Sequence, residues 1–103
     1  MGQVINVDVV AGADPQIRTF FIDRGLTGQG LRDFAGPEET TGDRSEERLA
    51  RALFAIAGVA FVSAYASSVA VTKTAAASWD DLAPRCVDVI RNLFVYYDVN
   101  RVG

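Results

Sequence analysis

The feature that most constrains the fold is a long helical repeat near the end of the chain. Leu82, Cys86, Val89, Ile90, Leu93 and Tyr97 recur at intervals of three and four, which places one apolar stripe along four turns of α-helix. Such a stripe must be buried against another layer, so the rest of the chain has to supply a surface for it. Pro84 has no amide hydrogen and belongs in a first turn, which predicts a helix start near Asp80 or Asp81. Their carboxylates suit the positive end of the helix dipole.

The complementary layer reads as β-structure. Val4–Val10 is dense in β-branched residues, and Ile17–Ile22 follows the turn formers Ala11-Gly12-Ala13-Asp14-Pro15, the pattern of a hairpin. Arg18, Phe20 and Ile22 share one face of the second strand while Ile17, Thr19 and Phe21 share the other, so period alone does not choose the buried side. One of Phe20 and Phe21 is expected to be partly exposed. From Arg24 to Arg44 the glycines and polar residues predict a long loop, an irregular crossover pinned by Leu31 and Phe34, with Leu26 the other large apolar residue.

Asp43 followed by Glu46 has capping-box spacing and predicts a first helix, with Leu49, Ala52, Leu53 and Ile56 as its buried stripe and Gly58 as its stop. Val59–Tyr65 and Val69–Thr74, separated by Ala66-Ser67-Ser68, predict a second hairpin. Val59, Phe61 and Tyr65 alternate on one side of its first strand, Val69 and Val71 on one side of the next. The predicted order is ββαββα, an α+β two-layer sandwich with an antiparallel sheet and two helices on one face.

Composition agrees. With 103 residues, half of them hydrophobic and 22% charged, the chain has the length and make-up of one globular domain spanning residues 1–103. A net charge of −3, with Lys and Arg scattered, speaks against nucleic-acid binding. Met1–Asn6 has no basic signal-peptide start, and polar residues interrupt the apolar stretches, so no membrane association is expected. The lone Cys86 implies no intramolecular disulfide, and a reducing cytoplasm is the expected compartment.

Four segments resemble the N-terminal domain of Nfu/NifU-type iron–sulfur scaffold proteins. Asp14-Pro15-Gln16-Ile17-Arg18-Thr19-Phe20 is similar to that family's Asn-Pro-x-x-x-Lys-Phe segment. Leu49-Ala50-Arg51-Ala52-Leu53-Phe54-Ala55-Ile56-Ala57-Gly58-Val59 is similar to its helix-to-strand junction. Val69-Ala70-Val71-Thr72-Lys73 and Trp79-Asp80-Asp81-Leu82-Ala83-Pro84 resemble its later strand and helix start, with Ala70 replacing a bulkier residue and Ala83 a lysine. The resemblance implies a role in iron–sulfur cluster assembly. In the family this domain precedes a second one whose Cys-x-x-Cys motif holds the cluster, and these residues include no such motif.

The available chemistry points to recognition rather than bond-making. Clusters are held by several thiolates, occasionally with histidine, and this sequence has one cysteine and no histidine. Neither a metal site, nor a cofactor, nor catalysis is expected; a nucleophilic Cys or Ser also ordinarily needs an adjacent base. The acidic pairs Glu38-Glu39, Glu46-Glu47 and Asp80-Asp81 read as solvated faces or helix caps. Gly25, Gly28 and Gly30 lack the third glycine and the following helix of a phosphate loop. Cys86 is expected in the core, as free cysteine commonly is.

Arg18 and Lys73 are placed on neighbouring strands beside the Asp14-Pro15 turn and Trp79, a cationic edge with an aromatic neighbour that suits an acidic peptide or carboxylate. Asp14, Pro15, Arg18, Lys73 and Trp79 are therefore the candidate partner-binding residues. The expected function is a non-catalytic accessory domain docking an iron–sulfur carrier or recipient protein. The alternative is a free-standing peptide-binding adaptor unrelated to metal handling.

Overall fold

A computed structural model describes residues 6–23, 31–42 and 45–102, apart from the side chains of Ser45 and of 93–102. The elements are β1 (Val7–Ala11), β2 (Ile17–Ile22), β3 (Leu31–Phe34), a short 3-10 turn (Pro37–Glu39), α1 (Ser45–Phe54), β4 (Val59–Tyr65), β5 (Ser68–Lys73) and α2 (Trp79–Val102). The strands form one antiparallel sheet in the order β1-β2-β5-β4-β3. The two hairpins β1–β2 and β4–β5 lie side by side, and β3 pairs with the far edge of the second.

Both helices cover the same face of the sheet. Phe20 and Ile22 of β2, Val69 and Val71 of β5, Val62 and Ala64 of β4 and Phe34 of β3 meet Leu49, Ala50 and Leu53 of α1 and Trp79, Leu82, Cys86 and Ile90 of α2 in one buried cluster. The α+β sandwich expected from the sequence is the architecture observed. Leu93 and Tyr97, the last members of the predicted stripe, have side chains outside the described residues.

Four local expectations give way to tertiary packing. The predicted long loop contains a strand: residues 31–34 pair with β4 through Leu31↔Tyr65 and Phe34↔Val62. Phe34 is a core residue as expected, but Leu31 is 59% exposed and anchors nothing. In β4, a register shift between Val59 and Phe61 resets the alternation, so Val62 and Ala64 are buried while Phe61 and Tyr65 turn to the opposite face. Helix α1 ends at Phe54, which leaves Ile56 in the turn leading to β4. Gly58 there has φ +104°, and a Cβ on it would lie 2.8 Å from that of Ala77, so only glycine fits.

Helix α2 starts earlier than predicted because Ser78 caps it. The Asp80 amide donates to Ser78 Oγ (3.2 Å), and the Leu82 amide donates to the Ser78 carbonyl (2.9 Å). Pro84 consequently lies inside the helix, beyond the first turn. The carbonyl deprived of a partner is that of Asp80, an exposed residue that water can serve.

The Asp43 end of the expected capping box lies outside the described residues, as do Leu26, Gly25, Gly28 and Gly30. Glu46 is instead buried in an ion pair with Arg32 of β3 (3.1 Å), beside a weaker contact of Arg32 with Glu47 (3.5 Å). Arg51 of α1 donates to the carbonyls of Thr40 (2.7 Å) and Gly42 (2.6 Å). Two arginines thus bind the β3 edge and its following turn to α1.

Candidate functional site

The β1–β2 connection is a tight turn with a proline in its second position. The Ile17 amide donates to the Asp14 carbonyl (3.1 Å), and the Gln16 amide donates to Asp14 Oδ1 (2.9 Å). Asp14 and Pro15 suit these positions because an aspartate side chain can accept from the turn's own amide and proline presets φ. Asp14 and Pro15 are both exposed at the tip.

From the other layer, Trp79 reaches this turn. Its indole Nε1–H donates to the Pro15 carbonyl (2.9 Å), while the ring packs against Phe20 with centroids 6.3 Å apart in a tilted arrangement. Arg18 lays its guanidinium over the same ring, with Cζ 5.5 Å from the centroid, a cation–π contact. One tryptophan therefore fixes the turn, the first turn of α2 and the half-buried Arg18 in one corner.

Lys73 enters the corner from β5. Arg18 faces Val71 across the strand pair, and the Lys73 amide donates to the Gln16 carbonyl (2.8 Å). Arg18 and Lys73 thus lie on the helix-covered side of neighbouring strands. The ammonium group of Lys73 donates to the Thr74 carbonyl (3.3 Å). No carboxylate among the described residues forms an ion pair with either cation. The structure brings together all five residues that the sequence singled out.

Cys86 sits elsewhere, with no exposed surface, in the core between α2 and the sheet. Burial pushes its thiol up to about 12, so the thiolate needed for iron ligation is strongly disfavoured. Among the described residues no three His, Cys, Asp or Glu side chains converge as metal ligands. A shallow depression of about 280 Å³ opens beside the start of α2 between Ala57, Ala77 and Leu82. Its titratable groups, Asp81 and Arg85, are a helical i, i+4 pair rather than a nucleophile with its base.

The comparisons with known proteins decide the family. The sequence matches the family described as "Scaffold protein Nfu/NifU N terminal" over residues 7–96. The chain belongs to that family. Membership of the Nfu N-terminal family places it in iron–sulfur cluster assembly. No curated protein matches the sequence. The fold is similar to the crystal structure of protein SAV1430 from Staphylococcus aureus, with a TM-score of 0.68 and 13% identity over 82% of this chain and 96% of that one. It is also similar to the solution structure of a Staphylococcus epidermidis protein, with a TM-score of 0.55 and 13% identity over 82% of this chain and 93% of the other. At such identity these two speak for the fold alone.

Sequence reasoning missed one surface. Val10, Phe21, Leu31 and Tyr65 are exposed apolar residues that all lie on the sheet face away from the helices. The adjacent Phe20 and Phe21 were the signal: two large aromatics in succession on a half-buried strand guarantee that one faces outward. No helix among the described residues is long and apolar enough to cross a membrane.

Proposed function

We propose that this Nfu N-terminal domain is a non-catalytic docking module, occupying residues 1–103 as one unit, that binds an acidic segment of an iron–sulfur carrier or recipient protein at the Arg18, Lys73 and Trp79 corner. The observation that carries this reading is the Arg18–Trp79–Pro15 cluster. The indole is held by its hydrogen bond to the Pro15 carbonyl, and the guanidinium lies over the ring with Cζ 5.5 Å from its centroid, a contact that restricts where Arg18 places its donors. A pre-oriented guanidinium recognises a carboxylate in a bidentate manner and loses less freedom on binding. Lys73 adds a second positive charge on the next strand, and the exposed Asp14–Pro15 tip borders the site.

Holding a cluster is assigned to residues outside this domain. The single thiol is protonated and enclosed, so a monomer offers no ligand set. A reducing cytoplasm, where a free cysteine persists, is the compartment consistent with this role.

Two measurements test the proposal. In the first, a 15N-labelled chain is titrated with a synthetic oligoglutamate peptide; shifts should concentrate on Arg18, Lys73 and the Trp79 indole N–H and disappear in Arg18→Glu. In the second, anaerobic reconstitution with iron and sulfide should leave the isolated chain without a stable chromophore. Stoichiometric cluster binding, or peptide shifts indifferent to Arg18→Glu, would overturn the assignment.

A further inference from the structure

The side of the sheet away from the helices carries a pattern of its own. Strand register aligns its residues into rows that run across the strands. Asp8, Phe21, Ser68, Tyr65 and Leu31 form one row; Val10, Thr19, Ala70, Ser63 and Asp33 form the next; Ile17, Thr72 and Phe61 form the third. The middle row is small at its centre, where Thr19, Ala70 and Ser63 adjoin. Phe21 and Tyr65 stand on one side of it, 46% and 56% exposed, and Ile17 and Phe61 on the other.

The result is a trough with a floor of small side chains and two aromatic-containing walls. Rows of like orientation repeat every two residues along a strand, so the walls are about 13 Å apart. The wall side chains fill part of that spacing, so the trough receives the apolar stripe of a helix lying over it rather than the whole ~10–12 Å cylinder. Charge completes the pattern. The face bears the carboxylates of Asp8 and Asp33 on its two edge strands and no lysine or arginine among the described residues. Asp33 accepts a hydrogen bond from Ser63 Oγ (2.6 Å), which fixes it at the end of the trough.

We propose that this trough docks an amphipathic helix of a partner protein, one with an apolar stripe flanked by lysine or arginine. The aliphatic and aromatic walls take the stripe, and the carboxylates at both edges take the basic flanks. Pairing of two copies through this face with their strands aligned is opposed by the same charges, since both edges are acidic and such an alignment sets carboxylate against carboxylate. The surface is separate from the Arg18 corner, which lies on the covered side, so either assignment stands or fails without the other.

The test uses the full chain, 15N-labelled, and two designed helical peptides that share a leucine face but differ in having lysine or glutamate flanks. The lysine-flanked peptide should shift the amides of Thr19, Ser63, Ala70, Phe21 and Tyr65, with affinity about tenfold higher than its glutamate counterpart. Ala70→Trp, which fills the floor, should abolish those shifts while leaving the far-UV circular dichroism unchanged. Asp8→Lys with Asp33→Lys should reverse the preference between peptides. Equal binding of the two peptides, shifts confined to Arg18 and Trp79, or no binding would overturn the proposal. So would sedimentation of the free chain as a dimer that protects the same amides, since the occupant would then be a second copy.

Discussion

Phe20 and Phe21 are neighbours in one strand and differ in nearly everything that matters to the protein. Phe20 is fully enclosed beneath the helices, against Trp79, whereas Phe21 stands 46% exposed on the open face. The five strands thus present two surfaces: the covered one buries the core and carries the Arg18 corner at its end, and the open one leaves Phe21, Tyr65 and Leu31 in contact with water. The comparison shows that apolar content alone does not reveal which residues stabilise this fold. What decides is the side on which α1 and α2 land.

The largest expected effect tests that division directly. Phe20→Ala should destabilise the chain by about 3–4 kcal/mol through lost burial and a residual cavity. Phe21→Ala should cost less than about 1 kcal/mol, because much of its ring already meets water. Urea denaturation of both variants measures the gap, and similar midpoints would show that the helices do not define the core as described.

Charge placed on the covered side sharpens the contrast next. Arg32 lies on the same side of β3 as Phe34, with its guanidinium Cζ 5.2 Å from the centre of that ring, and pairs with the buried Glu46. Arg32→Ala strands a carboxylate of which only 6% of the side chain is exposed; the cost should be about 2 kcal/mol, below that of an unpaired charge in a deep interior because Arg32 itself lies at a sheet edge. The double variant Arg32→Ala with Glu46→Gln should recover part of that loss. Equal loss in single and double variants would show that the pair carries no coupling.

Cys86 reports on the same side through pH. Folding raises its thiol from the ordinary 9.0 to about 12 by desolvation, so the folded chain holds this proton more tightly than the unfolded chain does. The associated stability is complete below pH 9 and is lost progressively as pH rises toward 12. At about pH 10 the loss is on the order of 1 kcal/mol. Comparison with Cys86→Ala across that range isolates it: the stability difference between the two chains should shift by this amount. A pH-independent difference would mean that the thiol is hydrated.

How much of this was legible in the sequence follows from where each signal resides. The hairpins were readable because β-branched runs and turn residues act locally, and α2 because its stripe repeats over many turns. The four residues of β3 carry no such signal; pairing with β4 makes them a strand, and Phe34 is their only core contribution. The Arg18, Lys73 and Trp79 corner was foreseeable from two strands and one helix start, although the indole bond to the Pro15 carbonyl spans 64 positions and had no local trace. The trough on the open face was not foreseeable. Its rows exist only after five strands adopt one register, and the register shift in β4 reverses the side that simple alternation assigns to Phe61 and Tyr65.

The smallest prediction concerns the turn that joins strands contributing to both faces. Ala66 occupies the β4–β5 turn with φ +54°, a left-handed conformation that a Cβ disfavours by about 1 kcal/mol. Glycine relieves that strain but adds freedom to the unfolded chain, an opposing effect of about 0.4–1 kcal/mol. Two-residue hairpin turns select positive φ, and the fixed register of Tyr65 with Ser68 holds Ala66 there whatever its cost. The net gain from Ala66→Gly should therefore be about 0.5 kcal/mol or less. Thermal unfolding should show a small rise in midpoint, with peptide binding at either surface unchanged. A marked loss of stability would mean that alanine restricts the unfolded hairpin more than it strains the folded one.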